Sequence, residues 1–166
     1  MGSPRYFSSY KLTDGSLVNV QLLDTIGQEK FRSINEQYYK LADCCLLVFD
    51  ITNRKSFEEC KGYYNKSLRE KCKKNIKVIL LGNKTDLEDK RVVSSEEGAN
   101  FALENDYIYI ETSCFKNTNV ANAFETLIEL TNIEMRKNQK EKEKEGNIEL
   151  RASKIYDKKK GKKKCC

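Results

Sequence analysis

The sequence predicts an α/β protein in which helices flank a mostly parallel sheet. One observation is the order of the elements, because short apolar runs alternate with stretches of helical periodicity along most of the chain. Another is the position of three polar residues, since Asp24, Asn83 and Ser113 each closely follow a predicted strand. In folds of this kind, ligands bind in the loops at the carboxyl ends of the strands. We therefore expect a binding site at that edge of the sheet.

The strands differ in pattern. Residues 18–23 alternate apolar and polar side chains, which predicts a half-buried strand. Asp14-Gly15 predicts the turn of a hairpin over residues 7–23 that supplies an antiparallel edge. Continuous apolar runs predict the parallel strands, at 46–50, 77–81 and 107–110.

Helices are predicted between and after these strands. One covers about residues 56–71, and another opens at Ser94, because Ser94 and Glu97 have the spacing of a capping box. The last helix has apolar residues at the i, i+3, i+4, i+7 spacing of a buried face. They are Val120, Ala123, Phe124, Leu127, Ile128 and Thr131. We interpret this stripe as core.

The most specific motif is Asn83-Lys84-Thr85-Asp86, directly after the apolar run 78–82. An aspartate after a strand can accept hydrogen bonds from the ring N–H and the exocyclic amine of guanine. Adenine presents a different edge and leaves the carboxylate unpaired, which disfavours the wrong base by as much as about 10⁴ to 10⁵. Asp86 would therefore set base identity. Taken alone, the motif equally fits an ordinary polar loop after a strand.

A second motif begins at Asp24, after the predicted strand 18–23, and includes Gly27 and Gln28. Asp24 can approach a Mg²⁺ ion through water. Gly27 can bring its backbone N–H close to a terminal phosphate, and Gln28 lies where a side-chain amide could orient an attacking water. Alone, this pattern also fits a simple turn. Together, the two motifs indicate a nucleotide-binding and hydrolysing site.

With these motifs the chain resembles the Rab-type small GTPases of the Ras superfamily, from about Tyr6 to about Met135. Residues 30–34, 38–42 and 47–52 are similar to the segments that distinguish Rabs from Ras and Rho proteins. The resemblance implies a P-loop-NTPase-like G domain that binds GTP or GDP with Mg²⁺ and hydrolyses GTP.

The resemblance also implies roles for the base-binding residues. Asn83 would tie its loop to neighbouring segments, and the Lys84 stem would cover one face of the base. Ser113 and Cys114 belong to a segment similar to the last base-contacting loop of the family, where the backbone N–H at the position of Cys114 meets the guanine oxygen. At the next position, Phe115 stands where the family usually has lysine.

The chain departs from the family upstream of the hairpin. No G-x-x-x-x-G-K-[ST] phosphate loop occurs among its eight glycines. The resemblance therefore predicts an incomplete G domain without the phosphate loop, the first switch and the central first strand. Each unsatisfied buried group costs about 1–3 kcal/mol, so we expect either a weakened fold or a shift of strand 18–23 against strand 44–49.

Composition indicates a globular domain with a basic tail. The chain has 166 residues, of which 39% are apolar and 34% charged, and it has no histidine for metal or acid–base work. It contains no signal-peptide pattern and no apolar run of membrane-spanning length, which predicts a cytosolic start. Cys44 and Cys45 lie in an apolar run, where buried reduced thiols are expected rather than metal ligands or disulfides.

Two regions are predicted, a G domain at 1–137 and a flexible basic tail at 138–166. The tail ends in Cys165-Cys166, which resembles the Rab double geranylgeranylation site. Six lysines precede this pair, namely Lys158, Lys159, Lys160, Lys162, Lys163 and Lys164. Lysines and prenyl groups together would anchor the chain to an anionic membrane. A nucleic-acid arm is disfavoured, because no aromatic residues are interleaved as a stacking platform.

Two functions remain open. The first is a Rab-like GTPase in membrane traffic, found in the cytosol and on the cytoplasmic face of intracellular membranes. The second is a nucleotide-free prenylated module that competes for Rab partners. Expected partners are guanine nucleotide, Rab escort protein, GDP-dissociation inhibitor, exchange and effector proteins and the membrane surface. We expect no nucleic acid and a monomer.

Overall fold

The computed structural model describes residues 5–25 and 38–160, with side chains described up to residue 143 except that of residue 142. The strands are β1 (Arg5–Lys11), β2 (Leu17–Leu23), β3 (Cys44–Asp50), β4 (Lys77–Asn83) and β5 (Ile108–Thr112). The helices are α1 (Arg54–Glu59), α2 (Asn65–Lys71), α3 (Ser95–Glu104) and α4 (Val120–Lys160). A π-helical turn, Cys60–Tyr64, joins α1 to α2, and a 3-10 helix covers Thr85–Lys90.

Three strands form a parallel sheet in the order β3-β4-β5, which confirms the predicted α/β architecture. The central strand β4 is the most apolar, and successive side chains alternate between its two faces. Leu80 packs with β3 and α1 on one face, where the rings of Phe49 and Phe57 lie 4.8 Å apart. Ile79 packs with Leu127 of α4 on the other face. The core therefore has two layers, one on each side of the sheet.

The predicted hairpin is present, with β1 antiparallel to β2. Its turn contains Gly15, whose φ of 84° favours glycine. The Asp14 carboxylate accepts hydrogen bonds from the N–H and the hydroxyl of Ser16. The hairpin is nevertheless a sheet of its own.

The outer edge of β3 carries no further strand among the described residues. The expected shift of residues 18–23 against residues 44–49 is therefore wrong, and so is the expectation that the hairpin extends the parallel sheet. The reason lies in the hairpin turn, where Leu12 is buried and the Thr13 N–H donates to Glu129 of α4 at 2.6 Å. Val48, on the edge strand β3, is 50% exposed. A weakened fold remains a prediction.

The helices begin where side chains cap them. Asn53 accepts a hydrogen bond from the Ser56 N–H and starts α1, slightly before the predicted residue 56. The capping box predicted at Ser94 and Glu97 is confirmed, because each side chain accepts the other's backbone N–H at about 3 Å. This cap fixes the start of α3 directly beside the carboxyl ends of the strands.

Helix α4 runs through the boundary predicted at residue 138. Contacts divide the chain into one unit that ends at Thr131 and a second that starts at Asn132. The described part of the second unit consists of the rest of α4, which ends at Lys160. Composition predicted a flexible tail in this region, whereas the structure has a helix there. Opposite charges three residues apart, as at Lys140 and Glu143, can support a helix that has no apolar face. The flexibility of this tail remains a prediction.

Among the described residues, no helix combines the length and the apolar character needed to cross a lipid bilayer.

Candidate guanine-binding site

The carboxyl ends of the three parallel strands meet at one edge of the sheet. Asp50, Asn83 and Thr112 are the last residues of β3, β4 and β5, and the strand register places Asn83 beside both of the others. Loops that follow parallel strands share an edge. The structure therefore brings the loop at 83–86 next to the loop at 113–114, although thirty residues of sequence separate Asn83 from Ser113.

The Asn83 side chain joins the two loops. Its Oδ1 accepts hydrogen bonds from the Thr112 hydroxyl and the Cys114 N–H, both at 3.3 Å. The Thr85 hydroxyl adds a link, because it donates to the Thr112 carbonyl at 3.2 Å. Thr112 is buried, so these bonds satisfy groups that are removed from water.

Lys84 is held in an unusual backbone conformation and by an ion pair. Its φ of 72° and ψ of 37° are left-handed, and its Nζ lies 2.5 Å from Asp50 Oδ2. The N–H and hydroxyl of Thr52 donate to the other Asp50 oxygen at 2.8 and 2.7 Å. Burial raises the pKa of Asp50, but the hydrogen bonds from Lys84 and Thr52 outweigh it, so that the pKa is lowered. The hydrogen bond between Lys84 and Asp50 raises the pKa of Lys84.

Asp86 is oriented by a serine on the opposite loop. The Ser113 hydroxyl donates to Asp86 Oδ1 at 2.5 Å and accepts the Lys116 N–H at 3.0 Å. Ser113 is completely buried, so its hydroxyl has a fixed direction. Asp86 Oδ2 makes no hydrogen bond within the described part of the chain and can accept one from a ligand. A carboxylate with one anchored oxygen is a suitable acceptor for two parallel N–H donors.

The loop after β5 is closed on itself. Ser113 and Thr118 exchange backbone hydrogen bonds of 3.1 and 2.9 Å. Asn117 and Asn119 have φ values of 52° and 57°, a region in which asparagine is enriched among non-glycine residues. The Asn119 side-chain amide donates to the Glu111 carbonyl at 2.9 Å. The loop geometry is therefore set by its own backbone and by two asparagines.

A polar cluster behind the site was not anticipated from the sequence. The guanidinium of Arg91 donates to Glu88, within the 3-10 helix, at 2.8 Å and to Glu111 of β5 at 2.9 Å. Ser95 and Tyr109 also donate to Glu111, at 2.7 and 2.8 Å. These carboxylates raise the pKa of Arg91, whose side chain is only 15% exposed. The three-residue spacing of Glu88 and Arg91 was visible in the sequence, but the partner Glu111 was not.

The predicted phosphate-side residues are not brought into this cluster. Asp24 is exposed just after β2, and it forms no hydrogen bond or ion pair with Asn83, Lys84 or Asp86 in the described ranges. Gly27 and Gln28 lie outside the described residues, as do the predicted lipidation residues, Cys165 and Cys166.

The side chains of the site have the chemistry that the predicted base recognition requires. It offers an oriented carboxylate beside a lysine and a backbone N–H, which is a set of donors and acceptors for a planar heterocycle. In the ranges that the structure describes, no group of three His, Cys, Asp or Glu side chains could hold a metal ion. The described residues are therefore compatible with a bound base, and its recognition stays a prediction.

Comparisons with known proteins show which family this chain resembles in sequence. The model of the Ras family matches residues 5–133. The chain is 43% identical over 114 residues to the Ras-related protein RabQ of Dictyostelium discoideum, covering 69% of this chain and 55% of RabQ. It is 44% identical over 115 residues to the GTP-binding protein ypt3 of Schizosaccharomyces pombe, covering 69% and 53%. For the Ras-related protein Rab-8A of Bos taurus the identity is 43% over 114 residues, with 69% and 55% covered. The chain thus spans about half the length of these relatives.

Proposed function

This chain belongs to the Ras family as a Rab-type small GTPase, and from this premise we propose that it recognises guanine nucleotide through Asp86 and acts in membrane traffic. The observation that carries the proposal is the 2.5 Å hydrogen bond from Ser113 to Asp86. It orients the carboxylate between two loops that Asn83 ties together. Preorganised acceptors of this kind bind without first having to reorient.

Each base-side residue has a proposed role. Asp86 accepts the ring N–H and the exocyclic amine of guanine, while Ser113 and Asn83 hold the two loops in register. The Lys84 stem covers one face of the base, with its ammonium fixed by Asp50. The Cys114 N–H faces Asn83 Oδ1 at a long 3.3 Å, and it would turn to the guanine oxygen when the base binds.

The phosphate side is proposed from the sequence. Asp24 would approach Mg²⁺ through water, Gly27 would donate its N–H to a phosphate, and Gln28 would orient the attacking water. When bound, Mg²⁺ would neutralise charge on the phosphates. The sequence has no G-x-x-x-x-G-K-[ST] loop, so a backbone cradle and its lysine are lacking. We therefore propose that nucleotide binding and hydrolysis by this chain are weak.

Binding of a fluorescent GDP analogue tests the proposal. The purified chain is titrated in Mg²⁺ buffer, and circular dichroism of the same sample establishes that it is folded. We expect weak binding that excess GTP reverses and that excess ATP does not. A folded sample that binds no guanine nucleotide would contradict base recognition.

A second function is favoured by the missing phosphate-loop motif. In this alternative the chain binds no nucleotide and acts as a prenylated module that competes for Rab escort, GDP-dissociation inhibitor, exchange or effector proteins. It would be a monomer that moves between the cytosol and the cytoplasmic face of membranes.

Membrane anchoring through the two terminal cysteines can be tested in either case. Replacing Cys165 and Cys166 by serine should move the chain from the membrane fraction to the cytosol, because the lysines alone give weak binding. Cys114→Ser, at an exposed cysteine of the base-side loop, is the matched control. Membrane association that survives the double substitution would show that prenylation is not the anchor.

A further inference from the structure

Phe115 is the most exposed of the large apolar side chains in the described residues, at 88%. Single exposed apolar residues are common on protein surfaces, so exposure alone has no functional meaning. Two other observations distinguish this ring. It makes no ring contact within the described part of the chain, and it lies two residues after Ser113, which anchors Asp86.

The backbone that carries Phe115 is fixed. The loop is closed by the hydrogen bonds between Ser113 and Thr118, and the Lys116 N–H bonds to the Ser113 hydroxyl. The ring is therefore displayed from a rigid loop beside the carboxylate proposed to bind the base. Since Ser113 contacts Asp86 and Phe115 follows it by two residues, a planar ligand hydrogen-bonded to Asp86 would lie close to the loop segment that carries this aromatic side chain.

We propose that Phe115 stacks on the purine base that Asp86 binds, so that the base lies against the ring as well as against the Lys84 stem. This inference rests on the proposed function and adds a specific affinity residue to it. An aromatic ring gains by covering a flat heterocycle, because both lose apolar surface to water. The exposed ring has this surface available, whereas the Lys84 ammonium is already held by Asp50.

The expected size of the effect follows from stacking in other base-binding proteins. Removing an aromatic platform costs about 1–3 kcal/mol per base, which corresponds to a loss of affinity of roughly 5- to 150-fold. Stacking tolerates any base, because every base has a π face. Phe115 should therefore set affinity and leave the preference for guanine over adenine to Asp86.

Isothermal titration calorimetry with guanosine, GDP and ADP tests this role on the full chain. Phe115→Ala should weaken guanosine and GDP by the same factor, roughly 5- to 150-fold, with the GDP to ADP preference unchanged. Phe115→Tyr should restore the affinity. The matched control is Leu103→Ala, at a residue that is 81% exposed on α3. In proton NMR spectra, guanosine should shift the Phe115 ring signals upfield, which a purely structural role would not produce.

The outcomes separate this inference from the proposed function. Guanine binding that survives Phe115→Ala unchanged overturns the stacking role alone. A loss for GDP without an equal loss for guanosine overturns it as well, because stacking acts on the base. A folded wild-type chain that binds neither guanosine nor GDP overturns the proposed function, and the stacking role with it.

Discussion

Ser113 illustrates how one side chain can organise a site. Its hydroxyl donates to Asp86 and accepts from the Lys116 N–H, so it connects the Asp86 carboxylate to the loop after β5. It is completely buried, and water cannot replace it there. Hydrogen bonds to charged groups contribute about 1.5–3 kcal/mol, so this single bond has a large share in holding Asp86 in place.

Ser113→Ala should weaken guanine nucleotide binding by roughly one to two orders of magnitude, because Asp86 loses its anchor and the Lys116 N–H loses its acceptor. Competition with a fluorescent GDP analogue measures the effect. Thr126→Ala on α4, which removes a hydroxyl with a long 3.5 Å hydrogen bond, is the control. Equal affinities of Ser113→Ala and the wild type would contradict the anchoring role.

The sequence placed Asn83, Asp86 and Ser113 at the carboxyl ends of predicted strands, because that placement depends on local order. Their part in binding a base stays a prediction. The motifs did not reveal the ion pair of Arg91 with Glu111, because its two residues are twenty positions apart in the sequence. Pairing between distant charges depends on how α3 and β5 pack, and no local pattern encodes it.

At the scale of elements, α3 packs closely against β5 at Gly98. A methyl group added to Gly98 of α3 would lie 2.5 Å from Tyr109 Cζ, closer than real side-chain contacts. Tyr109 is half-buried and donates to Glu111, so its ring cannot move away without breaking that bond. The helix therefore approaches the sheet closely because this position lacks a side chain.

Gly98→Ala should destabilise the fold by about 1–3 kcal/mol, since overpacking exceeds the gain in helix propensity. Gly62→Ala is the matched control, because nothing lies within 4 Å of its added methyl group. That substitution should be neutral or stabilising by about 0.4–1 kcal/mol. Urea unfolding of both variants gives the comparison, and equal unfolding free energies would contradict the packing described for α3.

The pairing of the outer edge of β3 was predicted wrongly from the sequence. Its apolar run identified a strand, but the local pattern could not show whether β2 pairs with it. Strand pairing depends on where the hairpin turn is held, here by Leu12 and by Thr13 with Glu129. An apolar edge that has no partner strand among the described residues favours self-association as the protein concentration rises.

Val48→Lys should reduce self-association, because a charge on an edge strand opposes pairing with another chain. Light scattering at increasing protein concentration measures this. Leu103→Lys adds the same charge at an exposed position of α3, away from the sheet edge, and should have no such effect. The edge has no role in association if both variants behave like the wild type.

In the molecule as a whole, carboxylates are paired with arginines in two places, at Arg54 with Glu97 and at Arg91 with Glu88 and Glu111. Hydrogen bonds from Arg54 and from the Ser94 backbone lower the pKa of Glu97 from 4.5 to about 2. The hydrogen bond from Arg91 likewise lowers the pKa of Glu88. A carboxylate whose pKa is lower in the folded state binds fewer protons than in the unfolded state. Its contribution is therefore present above pH 4.5 and is lost as the pH falls towards 2.

Acid should accordingly destabilise the wild type more than a Glu97→Gln variant. The measurement is the urea midpoint at neutral pH and at about pH 3, between the two pKa values of Glu97. Glu96→Gln, at the neighbouring exposed position in α3, controls for loss of charge near the helix start. The same acid sensitivity in Glu97→Gln and the wild type would show that this ion pair contributes nothing.

Guanine selectivity of the folded chain tests the proposed recognition most directly. Affinities for GDP and ADP are measured in the wild type, in Asp86→Ala and in Asp89→Ala, which removes an exposed carboxylate from the same 3-10 helix. We predict a strong preference for GDP in the wild type and in Asp89→Ala, and equal affinities in Asp86→Ala. A GDP preference that persists without the Asp86 carboxylate would contradict base recognition by this residue.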